Sequence, residues 1–110
     1  MKVRVYTHPE FERQFKRYLK KYRSLIADLS LFLADIKENP FRGVSLGNGV
    51  RKVRLGVASK GGGKRSGMRI IAYLMSSEDA DQIAVTLLYI YDKKELENVS
   101  DQFIAYLLKK

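Results

Sequence analysis

Three consecutive segments near the C-terminal half of the chain, 50–58, 68–75 and 82–91, read as β-strands. The joints between them are too short to hold a crossover helix. Parallel strands need such a crossover, so these three are expected to be antiparallel neighbours in one sheet. In the first, Val53, Leu55 and Val57 alternate with Lys52 and Arg54, the period of a half-buried strand. The third is apolar on both faces, with Ile83, Val85 and Leu87 set against Ala84, Leu88 and Ile90, which marks a central strand covered on both sides.

The segments before and after supply helices. Residues 2–6 alternate cation, Val, Arg, Val, Tyr and read as a short strand. Thr7 and Glu10 have capping-box spacing, and Pro9 suits a first helical turn. Phe11, Phe15, Tyr18, Leu19 and Tyr22 follow at helical spacing, with Arg13, Lys16, Arg17, Lys20, Lys21 and Arg23 on the other face. His8 reads as a helix-end residue. Ser24 is placed to cap a second helix with the stripe Leu25, Leu29, Phe32, Leu33 and Ile36, which Asn39-Pro40 ends. So short a joint between the two predicts an antiparallel helical hairpin. Residues 41–49, punctuated by glycine, read as a loop. Asn98 or Ser100 can cap a closing helix that carries Phe103, Ile104, Leu107 and Leu108. The expectation is one α+β domain over 1–110: a small antiparallel sheet with an N-terminal helical hairpin packed on it and a short C-terminal helix.

Charge narrows the function. The formal net charge is +9. Residues 51–69 hold seven cations (Arg51, Lys52, Arg54, Lys60, Lys64, Arg65, Arg69) and no acid. Such segregation points to a cationic face and a polyanionic partner rather than even solvation. There is no cysteine, so no disulfide or thiolate metal site is available. No apolar run is long enough to cross a bilayer, and the start, MKVRVYTHPE, lacks an apolar secretory core. The expected setting is the cytoplasm, with no membrane.

The stretch SKGGGKRSGMR, 59–69, invites comparison with a phosphate loop. The match fails: Gly63-Lys64 is followed by Arg65 where a hydroxyl is needed, and the next segment is a strand rather than a helix. A flexible hairpin loop explains the glycines. It explains less well the cations on both flanking strands, where Lys52 and Arg54 share a face and Arg69 could lie across from them. Like charges so arranged repel unless an anion joins them. Internal pairing with Asp92, Glu95 or Glu97 is the alternative.

These elements carry a resemblance to a family. The chain resembles toxins of the RelE/ParE superfamily, most closely the HigB-like, phage Gp49-like branch, through Asn39-Pro40, Gly49-Val50-Arg51-Lys52-Val53-Arg54, Ser59-Lys60-Gly61, Gly63-Lys64-Arg65-Ser66-Gly67, Arg69-Ile70-Ile71 and Tyr89-Ile90-Tyr91-Asp92-Lys93. The resemblance implies a small basic toxin partnered by a cognate antitoxin protein. The implied activity is that of a ribosome-dependent mRNA endonuclease (an mRNA interferase) that inhibits translation. The ParE branch, which poisons DNA gyrase, and a non-catalytic nucleic-acid-binding protein are the alternatives.

By the same resemblance, Lys52 and Arg54 match the paired cations of the family's catalytic strand, Arg69 its following arginine, and Lys93 or Lys94 a late basic residue. Cleavage by the ribose 2′-OH needs a base, charge stabilisation and an acid for the 5′-oxygen. Like charges disfavour a protonated lysine, so Lys52, beside Arg51 and near Arg54, is the candidate base or proton relay. Arg54 and Arg69 would clamp the phosphate. The family often has a late tyrosine near the site. Here Ser100 follows Asn98-Val99, and Tyr91, at the end of its strand beside Lys93, is the candidate in its place. Arg51, Lys60, Lys64 and Arg65 would hold RNA backbone. With one histidine and no acid cluster, the sequence favours chemistry without a metal or cofactor.

Overall fold

The computed structural model describes residues 2–61, 67–77 and 81–109. Chain order is β1 (Lys2–Thr7), α1 (Pro9–Leu19), α2 (Leu25–Glu38), β2 (Val44–Gly47), β3 (Val50–Leu55), a 3-10 turn (Ala58–Lys60), β4 (Met68–Ser77), β5 (Gln82–Asp92) and α3 (Asp101–Leu108). Among the described residues the five strands form one sheet in the order β1-β5-β4-β3-β2. This is a small α+β fold, as expected, and β3, β4 and β5 are antiparallel neighbours.

The sheet as a whole is mixed, not antiparallel. β1 pairs with β5 in parallel, Lys2 opposite Gln82 through Thr7 opposite Leu87. Loop length orients strands that follow one another directly; β1 meets β5 only after two helices and three strands, so no loop betrays its direction. The expected helical hairpin also needs correcting. Neither helix is held chiefly by the other: α1 packs on β5, and α2 on β1, β3 and the 3-10 turn.

A second correction falls in 41–49, read as a loop. Val44–Gly47 forms the edge strand β2, paired antiparallel with β3. All four of its residues are exposed, so no alternation of burial marks it. The signal that could have found it is Asn48-Gly49, a hairpin dipeptide. Gly47, Asn48 and Gly49 all take positive φ there, at 90°, 54° and 82°.

The core has two parts, one on each sheet face. Phe11, Tyr18, Leu25, Phe32 and Ile36 of the helices meet Val53, Leu55, Ile70, Val85, Leu87 and Ile90 on one side. Ile104 and Leu107 of α3 meet Val50, Ile71, Leu88 and Tyr91 on the other. The helix caps differ in part from expectation. His8, not Thr7, caps α1, its Nδ1 accepting from the Glu10 amide at 3.0 Å. Ser24 precedes α2 but makes no side-chain cap bond; its hydroxyl donates to Asp28 at 2.7 Å. Ser100 caps α3, accepting from the Phe103 amide at 3.1 Å. No helix among the described residues is long and apolar enough to cross a membrane.

Candidate functional site

Strand register brings the cations together. Arg54 of β3 lies directly opposite Arg69 of β4, and Arg69 directly opposite Tyr91 of β5. Lys52, two residues along β3, shares their face, because Val53 and Leu55 turn into the helix-covered core. Tyr91 reaches that face through an irregularity in β5. Ile71 pairs with Tyr89 but Ala72 pairs with Leu87, so Leu88 is an extra residue in the ladder. Such a bulge flips the alternation beyond it. Ile90 therefore lies with Leu87 in the helix-side core, opposite to the face expected for it, and Tyr91 turns towards Arg69 while Asp92 turns away.

Lys52, Arg54, Arg69, Tyr91 and Lys93 all line one concavity of about 540 Å³. β2 pairs with β3 only as far as Lys52, which leaves the outer edge of β3 open beside this cleft. Arg42, Asp35 and Glu97 complete its charged wall. From the sequence, Glu97 stands only as an internal partner for the cations, and Asp35 and Arg42 are not singled out. Asp35 and Arg42 flank the Asn39-Pro40 break, outside any strand alternation that would have aimed them.

The cleft residues differ in freedom. Arg69 is only 6% exposed, and its Nη1 donates to the carbonyl of Met68 at 3.1 Å. Arg54 and Lys93 are exposed and Lys52 half-buried. Among the described residues Lys52, Arg54 and Lys93 make no ion pair. Of the three acids considered as internal partners, Asp92 pairs with Lys60 and Glu95 with Arg17 and Lys21 on the other sheet face, while Glu97 lines the cleft itself. Arginines directly opposite on adjacent strands repel. An arriving anion would relieve that repulsion.

Tyr91 is 1% exposed, and its hydroxyl is buried without a hydrogen-bond partner among the described residues. Burial pushes its phenol above the usual range, against the opposing pull of the Arg69 charge. A phenol so placed keeps its proton at neutral pH.

The other candidate residues stand apart. Arg51 donates through Nε to the carbonyl of Arg42 and through Nη2 to that of Gly43, each at 3.0 Å. It straps the cleft wall in place rather than facing the cleft. The strap runs close to β3: a Cβ on Gly43 would lie 2.3 Å from the Lys52 carbonyl oxygen, so only glycine fits. Lys60 does not join the group either. Its ammonium lies 2.7 Å from Asp92 in the protein interior, with 5% of the side chain exposed, and is not available to RNA backbone. Lys64 and Arg65 lie outside the described residues. Among the described residues no three His, Asp or Glu side chains gather in a metal-binding cluster.

No known family model matches the chain. The functional reading therefore rests on the cleft and on the sequence motifs around it. Chemically, the cleft brings together the guanidinium groups of Arg54 and Arg69, suited to a bidentate grip on an oxyanion, with Arg42, two lysines, two carboxylates and one buried phenol around them.

Proposed function

We propose that the chain is a metal-independent endoribonuclease that cuts messenger RNA on the ribosome, acting as the toxin of a type II toxin–antitoxin pair. The observation that carries this reading is the row Arg54–Arg69–Tyr91 across three strands, with Lys52 and Lys93 beside it in one cleft. The resemblance of RKVRL and SKGGGKRSGMRII to RelE/ParE toxins supplies the target.

In this reading Arg54 and Arg69 grip the non-bridging oxygens of the scissile phosphate. The charge that builds on those oxygens as the 2′-oxygen attacks is stabilised by donors already in place. Lys52 takes the proton from the 2′-OH as a free amine, or relays it by giving up one of its own. The bond to the 5′-oxygen breaks, and that oxygen leaves with a proton from Tyr91 or Lys93. The products are a 2′,3′-cyclic phosphate and a 5′-hydroxyl. The raised proton affinity of Tyr91 suits a group that must hold its proton until the leaving oxygen needs it. The cytoplasm, where ribosomes translate, is the proposed setting, and an acidic antitoxin covering the cationic cleft is the proposed partner.

The test is induction of the chain in growing bacteria, with messenger RNA 5′ ends and DNA breaks mapped together. Cuts inside translated codons are expected. DNA breaks without RNA cuts would assign the chain to gyrase poisoning instead, and neither lesion would leave a non-catalytic nucleic-acid binder.

A further inference from the structure

Asp92 has no exposed surface, yet it carries a full charge directly behind the cleft. Its Oδ1 receives Lys60 Nζ at 2.7 Å and the Lys94 amide at 3.0 Å, and its Oδ2 receives the Tyr22 hydroxyl. Its own amide donates to the Tyr18 hydroxyl at 3.1 Å. Lys60 Nζ also sits 5.5 Å from the centre of the Tyr22 ring. Asp92 thus joins the end of β5 to the end of α1 through its amide, and to the turn after α1 and the 3-10 turn that opens the glycine-rich segment through its carboxylate.

That turn is held a second time from α2. The Ser59 amide donates to Ser24 Oγ at 2.9 Å and the Ala58 amide to Asp28 Oδ1 at 3.4 Å. Stability alone does not call for the ionic version of this anchor, because a buried ion pair is often matched or bettered by apolar residues of similar size. Its position offers a reason. Asp92 stands between Tyr91 and Lys93, both of which line the cleft. The strand ladder ends at Asp92, so ladder hydrogen bonds do not orient Lys93. The chain there turns through the Glu95 and Leu96 amides, which donate to the Asp92 carbonyl at 2.9 and 3.0 Å, while the Asp92 side chain holds the Lys94 amide.

We propose that the buried Asp92–Lys60 pair is a positioning device acting through the sheet, which fixes Tyr91 and Lys93 in the cleft from the opposite face. The proposal rests on the reading of the cleft as the site of RNA cleavage. In it Lys60 and Asp92 never touch RNA. They determine where the proton donors stand.

The experiment compares wild type with Lys60→Met, Asp92→Asn and the double variant Lys60→Met/Asp92→Asn. The melting temperature should fall in Lys60→Met, which strands a buried carboxylate, and recover in the double variant, which removes both charges. Cleavage of messenger RNA in a purified translation system should not recover with it. The double variant should stay down by about tenfold to a hundredfold, the size of effect a displaced catalytic group produces, and the loss should lie in kcat rather than KM. In parallel, NMR of the Tyr91 ring and the Lys93 side chain, without RNA, should show both resonances displaced. A double variant with wild-type melting, wild-type kcat and unmoved resonances would overturn the proposal. A wild type that cuts no RNA would defeat the proposed function, yet the NMR comparison would still decide the positioning claim: displaced resonances uphold it and unmoved ones reject it. Should the double variant fail to fold, Lys60→Arg decides in its place, by the same resonances and kcat.

Discussion

The two faces of this sheet treat charge in opposite ways. On the face covered by α1 and α2, the buried ions have partners: Asp92 holds Lys60 and Tyr22, and Asp28 accepts from Ser24 and the Ala58 amide. On the other, Arg54 stands opposite Arg69, and among the described residues Lys52 and Lys93 make no ion pair and a buried tyrosine hydroxyl has no hydrogen-bond partner. The first pairs its buried carboxylates within the chain. The second gathers cations around a cleft that Asp35 and Glu97 also line, and leaves a buried phenol without a hydrogen-bond partner among the described residues. The contrast yields a rule that can be broken: removing a charge should cost stability on the first face and activity on the second.

The largest expected effect is on the helix-covered face. Lys60→Met leaves the Asp92 carboxylate buried and unpaired, and should lower the free energy of unfolding by about 3–5 kcal/mol, measured by urea denaturation. A change below 1 kcal/mol would mean that this face is no more complete than the other. Next is Arg69→Ala on the cleft face. Loss of a donor aimed at transition-state charge costs about 10²–10³ in rate, or about 2.7–4 kcal/mol of barrier, read as the yield of new 5′ ends in translated messages. Because Arg69 is largely buried, circular dichroism must show the variant folded. Arg69→Lys, which keeps the charge but not the planar fork, should stay well below wild type. A folded, fully toxic Arg69→Ala would remove the phosphate clamp.

Acid offers a third test that touches only the paired face. Burial disfavours the charged form of Asp92, but the hydrogen bonds from Lys60, Tyr22 and the Lys94 amide outweigh it and hold the carboxyl at about 2. A carboxyl whose proton affinity is depressed by folding stabilises the fold above its unfolded value and loses that contribution as pH falls through its folded value. About 2 kcal/mol should therefore disappear between about pH 4 and pH 2. Asp92→Asn should lack this component of the acid transition. An identical acid profile in the two proteins would show that the carboxylate is not held as its contacts imply.

How far the sequence reveals this asymmetry depends on distance along the chain. The strand face bearing Lys52 and Arg54 is legible because alternation is local, and the direction of β4 and β5 follows from short joints. The meeting of Arg54 with Arg69 is legible in outline, since each stands near the end of its strand that faces the shared loop. The pairing of Lys60 with Asp92 is not: thirty-two residues separate them, and nothing near Lys60 distinguishes it from the cations around it. The bulge at Leu88 hides for another reason. β5 is apolar on both faces, so an extra residue leaves the pattern of hydrophobicity unchanged while it exchanges the faces of Ile90, Tyr91 and Asp92. That one residue decides which carboxylate anchors the fold and which phenol reaches the cleft.

The smallest change in stability should come from Tyr91→Phe, and it separates the two faces most sharply. A buried hydroxyl without a partner has lost its water and gained nothing in exchange, a cost of about 1–3 kcal/mol. Phenylalanine keeps the ring in the α3-side core with Ile104 and Leu107 and removes that cost. The variant should be as stable as wild type or more so, by about 1 kcal/mol. On the proposed mechanism its cleavage of RNA should nonetheless fall, because the phenol proton meant for the leaving 5′-oxygen is gone. The residual rate then reports what Lys93 supplies alone, and Tyr91→Phe with Lys93→Met should abolish it. Destabilisation by Tyr91→Phe would mean that the hydroxyl has a protein partner after all, and that the cleft face is no less self-sufficient than the helix-covered one. Unchanged cleavage in a stable Tyr91→Phe would leave the acid role to Lys93 and make the tyrosine ordinary core.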